Sequence, residues 1–370
     1  MINVGITGQP GFMGTHLFNF LNLQDNINTI PFKDEYFQDK KVMTDFAKKC
    51  DCIVHLAALN RHKDPQEIYN VNIHLVKTLI DVLESNNLEP HVIMSSSTQE
   101  ERDNLYGKSK KEGRKLLSNW AKRNSTPFTG LIIPNVFGPF GQPFYNSVVA
   151  TFAYQLTHGQ LPQIDTDAEL KLICINNLIK IIYSHIVNKT DRHDLLVNHD
   201  VEIKVSDILK KLQFYHGAYF KDKQFPCLDD FFDIDFFNTY RSYIEPTFFP
   251  VKLETHSDDR GLFSELIKAQ SQGQTSYSTT KPGITRGNHF HIRKVERFIV
   301  TKGEAEIKLR RIGTDQVNKY RISGKEPSFV DMPVWYTHNI TNVGKDELLT
   351  IFWANEFFNP DDPDTFYEEV

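Results

Sequence analysis

The chain has 370 residues, a formal net charge of -5 at pH 7 and 40% hydrophobic residues. Because single cores stop growing at roughly 250 to 300 residues, this length favours two domains. The mild charge and the lack of a long basic run argue against nucleic acid and an acidic membrane surface as partners, which leaves small-molecule chemistry.

Three features of the sequence bear on the compartment. The first residues enter a strand pattern directly, without the charged and apolar regions of a signal peptide. No apolar run is long enough to cross a bilayer. The cysteines, which are Cys50, Cys52, Cys174 and Cys227, show no pairing rhythm. We therefore predict a cytoplasmic protein with buried thiols rather than disulfides or zinc ligands.

Short apolar strands alternate with helical stretches from Ile2 to about Ile133. The predicted strands are Ile2 to Thr7, Cys52 to Ala58, His91 to Ser95 and Phe128 to Ile133. Their continuous rather than alternating hydrophobicity indicates a sheet covered on both faces. The sequence thus predicts an α/β fold with a doubly wound parallel sheet.

The pattern changes after a run rich in Phe, Asp and Tyr that leads to Pro246 and Pro250. From Val251 onward, strands follow one another without a helix-length segment; they are Arg297 to Thr301, Ala305 to Ile312, Asn318 to Ile322, Ser328 to Asp331 and Leu348 to Asn355. This order predicts an all-β barrel or jelly roll. We place the domains at 1–246 and 247–370.

A glycine-rich turn follows the first predicted strand and opens a helix. Gly8, Gly11 and Gly14 would allow a tight turn and close approach of the backbone to a pyrophosphate, with Phe12 and Met13 in the first helical turn. In this context the turn predicts a dinucleotide-binding site rather than a purely structural turn.

Tyr106 and Lys110 lie four residues apart on a predicted helix that follows a strand ending in three serines, the last of which is Ser97. On one helix face, the ammonium of Lys110 can lie beneath the Tyr106 ring. We expect that charge, with an oxidised nicotinamide, to lower the phenol pKa towards that of a general acid. Tyr219 and Lys223 have the same spacing but lack these neighbours, and we interpret Tyr219 as a surface residue.

The choice of cofactor depends on residues after the second strand. Lys33 would pair with the extra phosphate of NADP, whereas Asp34 would accept the ribose hydroxyls of NAD. Lys33 follows the strand more immediately, which favours NADP by a small margin.

A second group of residues has the composition of a metal site. His289 and His291 alternate by two, so on a strand both imidazoles project to one face. Glu296 could return to that face and His338 could join it from a neighbouring strand. Three nitrogens and one carboxylate suit zinc first, although iron, nickel or manganese also fit, and they leave room for water or substrate.

Six motifs in order make the first two thirds resemble an extended short-chain dehydrogenase/reductase of the nucleotide-sugar type. They are the Thr7 to Gly14 turn, Asp51 to Ala58, Tyr69 to Asn72, Ser95 to Ser97, the Tyr106/Lys110 pair, and Pro134 to Pro139. The resemblance implies that Leu56, Ala57 and Ala58 line the cofactor. It also implies that Asn72 holds the active-site helix and that Pro134 and Asn135 lie against the nicotinamide.

Two departures from that family pattern qualify the resemblance. The gap between Ser97 and Tyr106 is short, so Ser96 or Thr98 could replace Ser97 as partner of the substrate carbonyl. Thr98 and Gln99 stand where dehydratases of the family carry an Asp-Glu pair, which argues against dehydration.

The later region resembles a cupin. Gly283, His289, His291, Glu296 and Gly303 match its first motif, and Pro333, His338 and Asn342 match its second. Trp335 replaces the glycine that the second motif usually has.

Taken together, the two regions resemble a bifunctional family of capsular-polysaccharide enzymes. That resemblance implies epimerisation at C3 of a UDP-2-acetamido-2,6-dideoxy-hexos-4-ulose by the cupin, then NADPH-dependent reduction of the C4 ketone, towards UDP-N-acetyl-L-fucosamine. It also implies a homodimer. Two alternatives stay open: a reductase with a structural, dimerising cupin, and a non-enzymatic sensor of NADP or sugar.

Overall fold

The computed structural model describes residues 1–228 and 230–370. They form two compact units. The N-terminal unit comprises Met1–Phe137, Gly141–Val148 and Ala168–Lys204, and the C-terminal unit comprises Gly138–Phe140, Val149–Asp167 and Val205–Val370. The units are defined by packing, and a domain boundary at residue 246 stays a prediction.

The N-terminal unit is built on a six-stranded sheet with the strand order β2-β1-β3-β4-β5-β8. Its paired strands all run parallel. A small second sheet has the order β6-β7-β9. The strands are β1 Ile2–Thr7, β2 Ile27–Ile30, β3 Cys52–His55, β4 His91–Ser97, β5 Phe128–Ile133, β6 Asn135–Phe137, β7 Glu169–Cys174, β8 Arg192–Leu196 and β9 Val201–Lys204.

Helices flank this sheet, as the buried strands predict. The α-helices of the described chain are α1 Phe12–Leu21, α2 Lys40–Ala47, α3 Pro65–Ser85, α4 Leu105–Asn124, α5 Val148–Thr157, α6 Ile175–Asn188, α7 Val205–Tyr215 and α8 Phe231–Arg241. Of these, α7, α8 and all but the first residue of α5 belong to the C-terminal unit. The start of α3 is fixed by Asp64, which accepts the N–H of Gln66, and by Pro65 in the first turn. Residues of α2, α3 and α4, among them Met43, Leu79 and Trp120, pack into one core with the sheet.

The C-terminal unit contains two five-stranded antiparallel sheets, ordered β10-β18-β15-β20-β13 and β17-β16-β19-β14-β21, and the hairpin β11-β12. The strands are β10 Val251–Lys252, β11 Thr255–Asp258, β12 Gly261–Ser264, β13 Gln274–Thr280, β14 Thr285–Phe290, β15 Glu296–Lys302, β16 Glu304–Arg311, β17 Val317–Ser323, β18 Ser328–Met332, β19 Tyr336–Asn342, β20 Leu348–Ala354 and β21 Phe366–Tyr367. Both sheets contribute to one core, through residues such as Val300, Ile307 and Ile340. The predicted fold class, a Rossmann-like domain followed by an all-β jelly roll, is confirmed.

Within the C-terminal unit, a buried ionic cluster joins the segment that contains Tyr219 to strands β15 and β18. The guanidinium of Arg297 on β15 pairs with Asp331 on β18 at 2.8 Å, and both side chains are at most 1% exposed. Tyr219 donates to the same Asp331 carboxylate at 2.6 Å, and the Phe225 and Phe329 rings lie 4.4 and 3.5 Å from the guanidinium carbon. The interpretation of Tyr219 as a surface residue is therefore wrong. Its phenol supplies the hydrogen bond that a buried carboxylate requires.

Other sequence expectations can be compared with this fold. Strands β1 and β5 have their predicted bounds, and β3 ends at His55 rather than Ala58. No α-helix follows Val251 among the described residues. All four cysteines are thiols rather than disulfides, but only Cys52 and Cys174 are buried as predicted, whereas Cys50 and Cys227 are half-buried. Within the part of the chain that the structure describes, no helix is both long and apolar enough to traverse a membrane.

Candidate functional site

The glycine turn packs so closely against the next loop that side chains are excluded. Gly8 has φ +73°, and a Cβ there would lie 2.7 Å from the backbone nitrogen of Ala57. A Cβ on Gly14 would lie 2.3 Å from the carbonyl oxygen of Gly8. Gly11 caps α1 without a side-chain hydrogen bond. The first-turn N–H groups, which include those of Phe12 and Met13, therefore have no capping side chain and suit a phosphate.

The turn lies where the strand order reverses. Strands β2 and β3 flank β1 on opposite sides, so a crevice opens at the carboxyl ends of β1 and β3. Thr7 and His55, the last residues of these strands, are joined by a 2.8 Å hydrogen bond between Oγ1 and Nδ1. Leu56, Ala57 and Ala58 follow His55 directly, and the N–H of Leu56 donates to the Thr7 carbonyl at 3.1 Å. This part of the predicted cofactor site is thus brought together at one sheet edge.

Ser97 ends β4 at the same edge and caps a 3-10 turn over Thr98–Glu101. Its Oγ accepts the N–H of Gln99 at 3.2 Å. The neighbouring Ser96 instead donates to the buried carboxylate of Glu100. A bidentate pair with Arg114, at 2.8 and 2.7 Å, holds that carboxylate. The 3-10 turn is therefore held by the contacts of Glu100 with Ser96 and Arg114, while the Ser97 hydroxyl lies at the end of β4.

Helix α4 carries Tyr106 and Lys110. A Cβ at Gly107 would lie 2.0 Å from the carbonyl oxygen of Gln99, so a glycine is needed for the helix to meet the 3-10 turn. The Lys110 ammonium is buried and donates to Ser95 Oγ at 3.4 Å. Burial lowers the pKa of Lys110 to about 8, against an opposing effect of Glu100.

The pKa of the Tyr106 phenol is raised in the structure rather than lowered. Burial, and next the nearby Tyr145, raise the pKa of Tyr106 to about 12. Desolvation of the phenolate is the larger cause, and the expected lowering by Lys110 together with an oxidised nicotinamide stays a prediction.

The remaining residues of the predicted site lie around this edge. Asn72 accepts the N–H of Leu59 at 2.7 Å and donates to Ser109 Oγ at 3.0 Å, which links the loop after β3 to α4. Pro134 follows β5, and Asn135 begins β6 and donates to the Lys171 carbonyl at 3.2 Å. Lys33 and Asp34 are both exposed beyond β2. Their positions do not distinguish NADP from NAD.

Four side chains converge inside the C-terminal unit. One possible ligand atom from each of His289, His291, Glu296 and His338 lies within 4.8 Å of all the others. His289 pairs in register with His338 across β14 and β19, after a bulge at Gly287. Strand β14 ends at Phe290. The prediction that both histidines lie on one strand is therefore wrong, because His291 belongs to the turn that leads to Glu296.

The donor set of this cluster fits a divalent metal. His338 is 1% exposed, and its Nε2 has no hydrogen-bond partner among the described residues. Burial, and next the charge of His291, lower the pKa of His338 to about 3, which keeps the imidazole neutral. Burial opposes ionisation of Glu296, but the charge and the hydrogen bond of His291 lower its pKa to about 2. A buried imidazole nitrogen without a hydrogen-bond partner, 3.6 Å from the Glu296 carboxylate, fits the role of a metal ligand.

Sequence reasoning missed three residues near these sites. Glu100 and Arg114 give no spacing signal, because their pairing depends on α4 meeting the 3-10 turn. Arg311 faces Tyr336 across the β16–β19 register. Its guanidinium carbon lies 3.8 Å from the centre of the Phe140 ring, and it forms no ion pair with any described carboxylate.

Asn355 and Asp364 also act near the metal cluster. Asn355 Oδ1 accepts the N–H of Val295 at 2.8 Å. The main-chain oxygen of Asp364 lies 2.5 Å from His291 Nδ1. Neither residue belongs to the cupin motifs that the sequence displays.

The fold and the two sites define a class of protein in which a nucleotide-binding α/β domain precedes a β-domain with a metal-type donor set. Residues 4–183 match the NAD dependent epimerase/dehydratase family, and residues 256–366 match the polysaccharide biosynthesis C-terminal domain. The chain is 32% identical over 367 residues, 99% of its own length and 98% of the relative's, to UDP-2-acetamido-2,6-beta-L-arabino-hexul-4-ose reductase of Pseudomonas aeruginosa. The chain belongs to the same family as this nucleotide-sugar reductase.

Three other proteins resemble all or part of the chain. The crystal structure of the capsular polysaccharide assembling protein CapF from Staphylococcus aureus superposes with a TM-score of 0.64 at 33% identity, over the whole of both chains. The C-terminal region is 29% identical over 123 residues, 30% of this chain and 82% of the relative, to the spore coat polysaccharide biosynthesis protein SpsL of Bacillus subtilis. An NADPH-complexed structure of RMD from Pseudomonas aeruginosa, at 18% identity and TM-score 0.53, covers 58% of this chain and 82% of its own, and shows the fold alone.

Proposed function

We propose that the chain is a bifunctional nucleotide-sugar enzyme. Its C-terminal unit would epimerise C3 of a UDP-2-acetamido-2,6-dideoxy-hexos-4-ulose, and its N-terminal unit would then reduce the C4 ketone with NADPH, towards UDP-N-acetyl-L-fucosamine. The observation that carries the proposal is that one chain forms both constellations, the Ser97, Tyr106 and Lys110 edge and the four-ligand cluster. The full-length similarity to a hexul-4-ose reductase supports the substrate class.

In the N-terminal unit, the chain's own residues would bind and protonate the ketone. Bound NADPH would supply hydride to C4. The hydroxyl of Ser97 would donate a hydrogen bond to the C4 oxygen, because its Oγ already accepts the Gln99 N–H and its proton points elsewhere. Tyr106 would deliver the proton to that oxygen as general acid. The buried charge of Lys110, on the same helix face, would stabilise the phenolate that forms.

In the C-terminal unit, His289, His291, Glu296 and His338 would hold one divalent metal, with zinc the first choice for this donor set. Such an ion, when bound, supplies Lewis acidity to a carbonyl oxygen. Arg311 faces the same side of the sheet as the cluster, since it and Leu309, the register partner of His338, lie two residues apart on β16. Its unpaired positive charge suits the diphosphate of a nucleotide sugar.

The chemistry sets the order of the two reactions. A C4 ketone acidifies the C3 hydrogen, and reduction removes that activation, so epimerisation has to come first. Hydride transfer would also draw a near-balanced epimerisation forward. We further propose that the enzyme works as a homodimer.

The proposal can be tested by measuring epimerisation and reduction separately in the wild type and in two variants, Tyr106→Phe and His338→Ala. The UDP-4-keto sugar, incubated in heavy water without NADPH, should gain deuterium at C3, and NADPH added later should be consumed. Tyr106→Phe should keep the exchange and lose the reduction. His338→Ala should lose the exchange but still reduce a sugar whose C3 is already inverted.

Each rival function predicts a different result. If the wild-type protein shows no deuterium uptake, the C-terminal unit is a structural module and the chain is only a reductase. If it shows neither exchange nor turnover of NADPH, the chain is a sensor rather than an enzyme. Mass spectrometry of the sugar distinguishes all three outcomes.

A further inference from the structure

The segment Asn359–Tyr367, here called the strap, passes beside the metal cluster although it contributes none of the four ligands. Its Phe366 and Tyr367 form β21, which pairs with Phe290 and His289 on β14. Asp364, two residues earlier, is 2% exposed and has φ +44°. A buried carboxylate is costly unless it is fully hydrogen-bonded, so the partners of Asp364 indicate its role.

The carboxylate of Asp364 organises the turn that connects two of the ligands. It accepts the N–H groups of Ile292 at 3.2 Å, Arg293 at 3.0 Å and Lys294 at 2.8 Å. This turn begins after His291 and ends before Glu296. Three converging amides fix its backbone, and with it the spacing of the two ligand side chains.

The main chain of the same residue orients a ligand directly. The carbonyl oxygen of Asp364 lies 2.5 Å from Nδ1 of His291. A carbonyl oxygen can only accept, so Nδ1 carries the proton. The other ring nitrogen, Nε2, faces the cluster and donates to Glu296 Oε2 at 2.9 Å, and it is the nitrogen that would bind a metal in place of that proton.

Two neighbouring contacts hold the strap in this position. The Lys294 ammonium donates to the Pro363 carbonyl at 2.7 Å. Arg293 pairs with Asp362 at 2.9 Å and with Glu356 at 3.2 Å. The strap is therefore fastened to the ligand-bearing turn just before Asp364, and to β14 just after it.

We infer that Asp364 is a positioning residue of the metal site, which sets the tautomer of His291 through its carbonyl oxygen and the His291–Glu296 spacing through its carboxylate. The inference rests on the metal site of the proposed function. Metal retention should therefore depend on a residue more than twenty positions beyond the last ligand, His338. Groups that orient metal-bound histidines in this way commonly change metal affinity by roughly 10- to 100-fold.

The experiment compares zinc affinity, by chelator competition on the full-length protein, with the melting temperature of the same protein without metal. Asp364→Ala should weaken zinc binding by roughly 10- to 100-fold. Asp364→Asn should lose less, because its amide oxygen can still accept some of the three N–H groups. Asp361→Ala, an exposed aspartate of the same strap, should match the wild type. Cobalt loaded instead of zinc should show an altered absorption spectrum in Asp364→Ala alone.

Two results would overturn the inference. One is unchanged zinc affinity and cobalt spectrum in Asp364→Ala. The other is a fall in melting temperature of the metal-free Asp364→Asn protein with no loss of zinc affinity, which would make the residue merely structural. Failure of the proposed function looks different: metal-loaded wild type would show no exchange at C3, while the affinity difference between wild type and Asp364→Ala would persist.

Discussion

The hydroxyl oxygen of Ser97 accepts the N–H of Gln99 at 3.2 Å, whereas the hydroxyl of the adjacent Ser96 donates to the Glu100 carboxylate. A serine hydroxyl has a single proton. Ser96 therefore uses its proton inside the protein, and Ser97 donates to no described residue. The same short segment thus separates a structural serine from one that can bind a carbonyl.

Replacing Ser97 should affect reduction far more than replacing its neighbour. Ser97→Ala removes a donor to the developing oxyanion, so kcat for NADPH oxidation should fall by roughly 100- to 1,000-fold. Thr98→Val, one residue further on, should leave kcat near the wild-type value. Steady-state kinetics with the 4-keto sugar measures both. If Thr98→Val showed the larger loss, Thr98 would be the carbonyl partner.

Removal of the buried Lys110 charge should stabilise the protein while it stops reduction. In the fold the pKa of Lys110 is lowered to about 8, whereas a lysine in the unfolded chain titrates near ~10.4. Below pH 8 both states bind the proton and the folded state bears the cost of burial. Between pH 8 and about 10.4 only the unfolded state binds it, so wild-type stability rises with pH.

Thermal melts of the protein without cofactor test whether the buried Lys110 charge is destabilising and whether wild-type stability rises with pH. Lys110→Met should melt above the wild type at pH 7, and the difference should narrow as the pH is raised from 8 to 10. Lys115→Met, which removes an exposed ammonium of the same helix, should show no such narrowing. A Lys110→Met protein that melts below the wild type at pH 7 would mean that the contacts of the ammonium outweigh its desolvation.

Metal binding should be measurable without any assay of activity. Zinc added to metal-free protein should raise the melting temperature, because the ion binds only the folded cluster. His338→Ala removes the buried nitrogen that has no other partner and should abolish most of that rise. His256→Gln changes an exposed histidine on β11 and serves as the control. An equal zinc response in His338→Ala and the wild type would place the metal elsewhere.

Removing one partner of the buried Arg297–Asp331 pair should strongly destabilise the C-terminal unit. Asp331→Asn leaves a buried guanidinium without its counter-charge and should cost about 3–5 kcal/mol. Tyr219→Phe removes one neutral donor to the carboxylate and should cost about 1–2 kcal/mol. Urea unfolding can be followed by the fluorescence of Trp353, which stacks on Phe225. Glu326→Gln, in an exposed pair with Lys252, should not move the midpoint.

The local part of the fold could be predicted from the sequence. Strands β1 and β5 are continuous apolar runs between turn residues, and such runs define their own limits. The glycine turn and the four metal-type ligands were also recognisable, because each depends on residue type at a fixed spacing. The predicted strand to Ala58 was too long, since the chain turns at His55 to pack against Gly8.

Pairings over long distances were not predictable in the same way. Tyr219 and Tyr106 have the same relation to a lysine four residues on, yet Tyr219 is bound to Asp331 in another part of the sequence. Burial at that contact depends on where α7 and the following residues pack, which has no local signature. Trp335 adopts φ +62°, which lies in the left-handed region that favours glycine. The position therefore has a backbone conformation that suits the glycine of the cupin motif, although a tryptophan occupies it.

The sequence by itself determined the classes of element and identified the candidate site residues, because periodicity and motif spacing act within a few residues. The tertiary structure decided which proton each group holds and which partner it meets. Ser96 is fixed by Glu100, burial weakens the affinity of Lys110 for its proton, and His291 is oriented by Asp364. Desolvation and hydrogen bonding depend on surroundings that only the packed chain creates.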